Sequence, residues 1–132
     1  MRAPDPRPRT PRKVLGAEGE AVAARYLKKQ GLKVIEQNYR SRLGEIDVVA
    51  RDGSRWVFVE VKTRIEGDGD PPQSAVTLRK QRRLARLAQE YILRRRLGEV
   101  PCRFDVVSVL FNHEGRVSEI RHLPAAFSAE SW

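Results

Sequence analysis

Gly44-Glu45-Ile46-Asp47-Val48-Val49-Ala50, then Arg51-Asp52-Gly53-Ser54, then Arg55-Trp56-Val57-Phe58-Val59-Glu60-Val61-Lys62-Thr63 is the stretch that decides the fold. Two runs rich in valine and aromatic residues, joined by a link that carries the Asp-Gly turn signal, predict an antiparallel β-hairpin. Successive side chains of a strand point to opposite faces. Val57, Val59 and Val61 therefore form one stripe, and Trp56, Phe58, Glu60 and Lys62 share the other face. Along the first strand Glu45, Asp47 and Val49 share a face. Pairing through the turn brings the Asp47 end near the Glu60–Lys62 end. Carboxylates and an ammonium interrupting apolar strands are costly unless a partner or a metal compensates them. Two acids and a lysine at one place suggest a site that holds a divalent metal and cuts a phosphodiester.

Outward from the hairpin, a helix is expected from about Lys13 to Gln30, stopped by Gly31, with Ala17, Ala21, Ala24 and Leu27 as its packing stripe and Glu20 at the margin. Gly16 and Gly19 weaken that helix and point to close approach of another backbone. Leu32–Asn38 reads as a strand. A polar loop spans Arg64–Gln73, and Ser74 or Thr77 caps a second helix that runs to about Leu97, with Gly98 beyond it. Its inner face is Leu84, Leu87, Ala88, Tyr91 and Ile92. Cys102–Phe111 and Val117–Leu123 complete the strands. The order α-β-β-β-α-β-β is that of an α/β domain layered around a mixed sheet. Residues 1–12, holding four of the eight prolines, read as a disordered basic arm, 13–127 as one domain and 128–132 as a tail.

Charge is distributed unevenly. The 132-residue chain has a net charge of +9, with +4 in residues 1–13, +7 in Arg79–Arg96 and a slightly acidic remainder. Basic flanks around an acidic site suit a polyanion that meets carboxylates through a metal, although a solvated helix face and an arginine-rich tail explain the same counts. Cys102 stands alone, which excludes an internal disulfide and a cysteine-rich zinc site, and His113 and His122 have poor zinc spacing. No apolar stretch approaches membrane-spanning length and no hydrophobic segment opens the chain. A soluble, cytoplasmic protein with no membrane partner is expected.

Gly16-x-x-Gly19-Glu20, Asn38-Tyr39-Arg40, Gly44-Glu45-Ile46-Asp47, Phe58-Val59-Glu60-Val61-Lys62-Thr63-Arg64, Lys80 and Ala126-Phe127 occur in an order and spacing that resemble the PD-(D/E)xK nuclease superfamily. The resemblance is closer still to the bacterial YraN-type family, nuclease-like and related to archaeal Holliday-junction resolvases. Ile46 stands where the superfamily pattern has proline, as in many relatives. The resemblance implies a restriction-endonuclease-like α-β-β-β-α-β core with a mixed sheet flanked by helices. It also implies a metal-dependent endonuclease acting on DNA, branched or structured DNA included, and, by analogy with junction resolvases, a homodimer. No dimer patch is legible in the sequence.

Carried over by position, the resemblance has Asp47, Glu60 and the Val61 carbonyl binding Mg²⁺ or Mn²⁺. Lys62 would orient the attacking water and stabilise charge on the phosphate. Glu20 would complete the catalytic set by holding a water on the metal or a second metal. Arg40, Arg42, Arg64, Arg79, Lys80 and Arg83 are the candidate nucleic-acid contacts, which would position the backbone without reading sequence. Each has a plainer alternative. Asp47, Glu60 and Lys62 could be an internal salt bridge, Glu20 could pair with Lys13 or Arg25, and Lys80 could be a surface residue. Glu45, on the face of Asp47, could be an outer ligand but reads more readily as solvated at the strand start, Trp56 reads as core, and Tyr39 as a contact to a base or sugar. A non-catalytic nucleic-acid-binding protein on the same scaffold is the alternative function, and RNA or an acidic protein the alternative partner.

Overall fold

A computed structural model describes residues 12–67 and 76–128, and in it the expected hairpin is the middle of a five-stranded mixed sheet. Helix α1 spans Arg12–Lys29 and is followed by strands β1 (Lys33–Ser41), β2 (Gly44–Asp52) and β3 (Arg55–Ile65). Helix α2 (Leu78–Arg94) then precedes β4 (Cys102–Phe111) and β5 (Val117–Phe127). The strands lie side by side in chain order. β1, β2 and β3 form an antiparallel meander, β3 and β4 run parallel across the α2 connection, and β5 returns antiparallel. Alternating side chains divide the core into two layers. Val48, Ala50, Val57, Val59, Val107 and Val109 pack with Leu15, Val22, Ala23 and Leu27 of α1. On the other face Val49, Phe58 and Phe104 pack with Leu84, Leu87, Ala88 and Tyr91 of α2. The valine stripe and the Trp56–Phe58 face therefore lie as their alternation requires.

Several local readings change. The outer strands are longer than expected, β1 reaching Ser41 and β5 reaching Phe127, because pairing with β2 and β4 carries residues of weak β-propensity. Thr77 caps α2, its hydroxyl accepting from the Lys80 N–H, and the helix ends at Arg94, ahead of the expected Leu97. Along α1 the inner face is Leu15, Gly19, Val22, Ala23, Ala24 and Leu27, so Ala24 and Leu27 of the expected stripe are buried and Ala17 is exposed. Alanines define a face poorly; the larger apolar residues set it. Tyr39 is buried in the α2 layer, where its hydroxyl donates to Glu90 Oε1 (2.6 Å) and its ring meets Tyr91 edge-on. It is a core residue and not a nucleic-acid contact. Of the basic arm read over residues 1–12 only Arg12 lies within the described residues, as do Ser128 of the tail and Thr77 of the two candidate caps. No helix among the described residues is long and apolar enough to cross a membrane.

Asp105 was hidden in an apolar strand. It is wholly buried, and accepts from Arg103 Nε (3.0 Å), the Ala125 N–H (2.9 Å) and His122 Nε2 (2.8 Å). Arg103 also reaches Asp52 (2.8 Å), so the cluster ties β4 to β5 and to the β2–β3 turn. Burial alone would raise the Asp105 pKa, but these hydrogen bonds from His122, Arg103 and Ala125 hold it below the usual carboxylate value. Its contribution to stability is thus present above the ordinary carboxylate range and is lost as pH falls through the depressed value. We expect Asp105→Ala to cost about 3–5 kcal/mol, because it removes the buried acceptor shared by Arg103, His122 and the Ala125 N–H. The loss should appear as a lower urea midpoint with little change in slope.

Candidate metal centre

The site begins where the sheet opens. Pairing of β2 with β3 runs from Asp52↔Arg55 to Val48↔Val59 and stops there, whereas β3 stays paired with β4 as far as Ile65. Beyond Val48 the Asp47 carboxylate replaces the missing backbone acceptor: its Oδ2 accepts the Val61 N–H at 2.8 Å. In an antiparallel ladder the N–H and C=O of one residue face the same neighbour. The Val61 carbonyl therefore opens into the same gap. Directly across β2, Asn38 adopts a left-handed conformation (φ 56°), which bends β1 at the level of Asp47.

Three elements deliver carboxylates to this gap. Glu20 comes from α1, Glu45 and Asp47 from β2, and Glu60 from β3. Oxygens of Glu20, Glu45 and Asp47 lie within 4.8 Å of one another. Asp47 is the hub, hydrogen-bonded through its side chain to Glu20 and to Glu60. The Asn38 amide, turned so that both its ends are satisfied, donates to Glu20 Oε1 (2.6 Å) and Glu45 Oε1 (2.7 Å). Gly19 is what lets Glu20 arrive. A Cβ at that position would sit 2.2 Å from Thr63 Oγ1, so only glycine allows α1 to lie this close to β3.

Repulsion and burial act together here. Burial first, then the charge of Asp47, pushes the Glu60 pKa up to about 8, with Lys80 and Lys62 offsetting part of the rise. Burial, then Asp47 and Glu45, raises Glu20 to about 7. Asp47 is raised by burial as well, although the Val61 N–H and Glu60 favour its ionised form. At neutral pH the cluster retains protons because burial and mutual repulsion of the acids outweigh the nearby cations. An all-oxygen donor set of this kind suits a hard divalent cation such as Mg²⁺ or Mn²⁺. The residues fit such an ion.

The structure brings Asp47, Glu60 and Glu20 together, and beside them Glu45 and Asn38, which belong to the quoted motifs but have no place in the expected catalytic set. Glu45 gave a usable signal: it lies two residues before Asp47 on the same face. A pocket of about 200 Å³ is lined by Glu45, Asp47 and Glu60 together with Lys80, Arg83, Leu84 and Leu87 of α2. Gly44, at φ +135°, permits the Arg83 stem to lie across the strand, since a Cβ would come 3.2 Å from Arg83 Cδ. Arg79 and Arg83 line an adjoining groove. Arg40 is largely exposed and pairs with Glu45 (3.6 Å), and Arg42 is exposed in the β1–β2 turn. Arg64 lies two residues beyond Lys62 on β3, half-buried, and is not among the residues lining the carboxylate pocket.

Comparison with known proteins gives a consistent match. The profile of the uncharacterised protein family UPF0102 matches residues 19–109. The chain is 47% identical over 115 residues to a UPF0102 protein of Geobacter metallireducens, covering 87% of this chain and 93% of that one. It is 43% identical over 127 residues to a UPF0102 protein of Geotalea uraniireducens, covering 96% and 97%. A UPF0102 protein of Lachnoclostridium phytofermentans is 47% identical over 119 residues, covering 89% and 96%.

Two measurements probe this geometry. Glu20 and Glu60 hold protons up to about 7 and about 8 in the folded state but release them from an ordinary value of 4.5 when unfolded. Folding without metal should therefore weaken as pH climbs from about 4.5 to about 8, the sign set by the folded state binding more protons. Thermal melts should show millimolar Mg²⁺ or Mn²⁺ raising Tm more at pH 8 than at pH 5, and Glu60→Gln flattening the metal-free pH profile. A pH-independent Tm with no response to either metal would sink the assignment. Separately, Gly19→Ala should cost about 1–3 kcal/mol by overpacking, and Thr63→Ala added to it should recover most of the loss in chemical denaturation.

Proposed function

The chain belongs to the UPF0102 family, and we propose that it is a restriction-endonuclease-like, PD-(D/E)xK-type enzyme that hydrolyses DNA phosphodiester bonds with Mg²⁺ or Mn²⁺. The observation that carries this reading is the meeting of Asp47, Glu60 and Glu20, from β2, β3 and α1, in a gap that opens toward a cationic helix face. A salt bridge built only for stability would pair acids with bases one to one. Here acid is stacked on acid.

In this reading Asp47, Glu60 and the Val61 carbonyl hold the cation, and Glu20 and Glu45, fixed by Asn38, line its outer side. Bound there, the ion would polarise a phosphoryl oxygen and make water acidic enough to attack at neutral pH. Lys62, on the face of Glu60, steadies the negative charge that grows on the phosphate and orients the attacking water. Lys80 and Arg83 border the pocket and anchor the phosphate, and Arg40, Arg42, Arg64 and Arg79 supply contacts to the flanking backbone. Water adds to phosphorus, the P–O bond to the leaving oxygen breaks, and that oxygen takes up a proton. Such a protein would work in the cytoplasm, where its substrate is.

The test is digestion of supercoiled, linear, single-stranded and four-way-junction DNA with each metal. Cleavage of at least one substrate is expected, with Asp47→Ala, Glu60→Ala and Lys62→Ala each slowing it about 100-fold or more while DNA binding persists. If the wild-type protein cuts none of these substrates with either metal, the enzyme reading is wrong, and retained binding would then leave a non-catalytic nucleic-acid-binding protein.

A further inference from the structure

Beside the carboxylate pocket lies a second, wider groove of about 650 Å³, lined by Leu43 of the β1–β2 turn and by Leu78, Arg79, Arg82, Arg83 and Arg86 of α2. Its composition is unusual. Four guanidinium groups occur with two leucines that are 42% and 59% exposed, neither of which belongs to a core layer. Arg83 lines both cavities, so the groove adjoins the acidic pocket at that side chain.

Resting on the nuclease reading, we infer that this groove takes an unpaired stretch of nucleic acid immediately next to the phosphate that is cut. The charge alone would suit any phosphate backbone. The leucines narrow the choice. In a stacked duplex the base faces are covered and only phosphates and groove edges reach the protein, leaving Leu43 and Leu78 no base face to meet. An unpaired strand exposes base faces, on which apolar side chains and planar guanidinium groups both pack. Arg79 to Arg86 spans about 10 Å of helix at 1.5 Å per residue. At the roughly 3.4 Å rise of a stacked strand this accommodates about three nucleotides. The path through Arg83 delivers the next phosphate to Asp47 and Glu60. The substrate class is therefore DNA or RNA with a short single-stranded segment at the cut, and blunt, fully paired duplex is a poor substrate.

Binding is measured with the full chain carrying Asp47→Ala, in EDTA, by fluorescence anisotropy of a labelled 12-nucleotide single strand and of the matching duplex, so that the result does not depend on cleavage. We expect the single strand to bind at least 10-fold more tightly. Leu43→Ser with Leu78→Ser should remove most of that preference while leaving duplex affinity within about two-fold. Arg82→Ala with Arg86→Ala should lower the salt slope for the single strand by about 1.4, at roughly 0.7 for each phosphate no longer neutralised. All four positions are exposed, and circular dichroism checks that the variants fold. Equal affinity for strand and duplex, or a leucine double variant that keeps the preference, overturns the proposal. Failure of cleavage with the single-strand preference intact would count against the enzyme reading and not against the groove.

Discussion

Everything in the site depends on one substitution of hydrogen-bond partners: a side-chain carboxylate stands where a neighbouring strand's backbone oxygen would otherwise be. A strand that loses its neighbour leaves polar groups bare, and the sheet tolerates this at Val61 because Asp47 accepts its N–H. The departure of β2 from β3 is thereby stabilised by the group that makes the gap useful. The cost is an acid that is mostly buried among other acids. Asn38, whose backbone is left-handed, offsets part of it by donating to Glu20 and Glu45.

Opposing charges are sorted by layer. Acids arrive from α1 and from the strands, and α2 sets Lys80 and Arg83 against them, with Lys62 of β3 and Arg40 of β1 as further cations. Helix α2 holds this position through Leu84, Ala85, Leu87, Ala88 and Tyr91, which are all buried, so its arginines are left on the outer side. An amphipathic helix of this kind is a rigid mount for a basic surface. The second charged cluster, around Asp105, is balanced within itself by Arg103 and His122 and serves as a clamp between strands. The contrast is informative: acids that meet bases with good geometry are structural, and acids that meet acids await something from outside.

Much of this was legible in the sequence. The order of elements, the hairpin turn at Gly53, the faces of β3 and the inner face of α2 follow from period-2 and period-3.6 patterns in which large apolar residues dominate. The convergence of Asp47 and Glu60 followed from pairing through the turn. What could not be read was where the pairing stops, since no local pattern records that β2 leaves β3 after Val48. Glu45 consequently looked solvated and Asn38 looked like an ordinary strand end. Tyr39 was misjudged because its neighbours are polar while its ring answers to α2, 51 residues away in sequence at Glu90. Asp105 was invisible for a related reason: its partners lie on another strand, and a single acid in an apolar run carries no sign of what will neutralise it.

The parallel pairing of β3 with β4 has a consequence for the timing of assembly. During synthesis β1, β2 and β3 can emerge and close as a local meander, bringing Glu45, Asp47 and Glu60 into proximity before α2 has left the ribosome. At that stage the acids repel one another with no cationic helix opposite them. Closing the long β3–α2–β4 crossover, a slow and non-local event, is what sets Lys80 and Arg83 over the cluster. A nascent chain thus carries the acids of its hairpin before the helix that faces them is in place, and the order of the gene's segments delays completion of the pocket until the domain is whole.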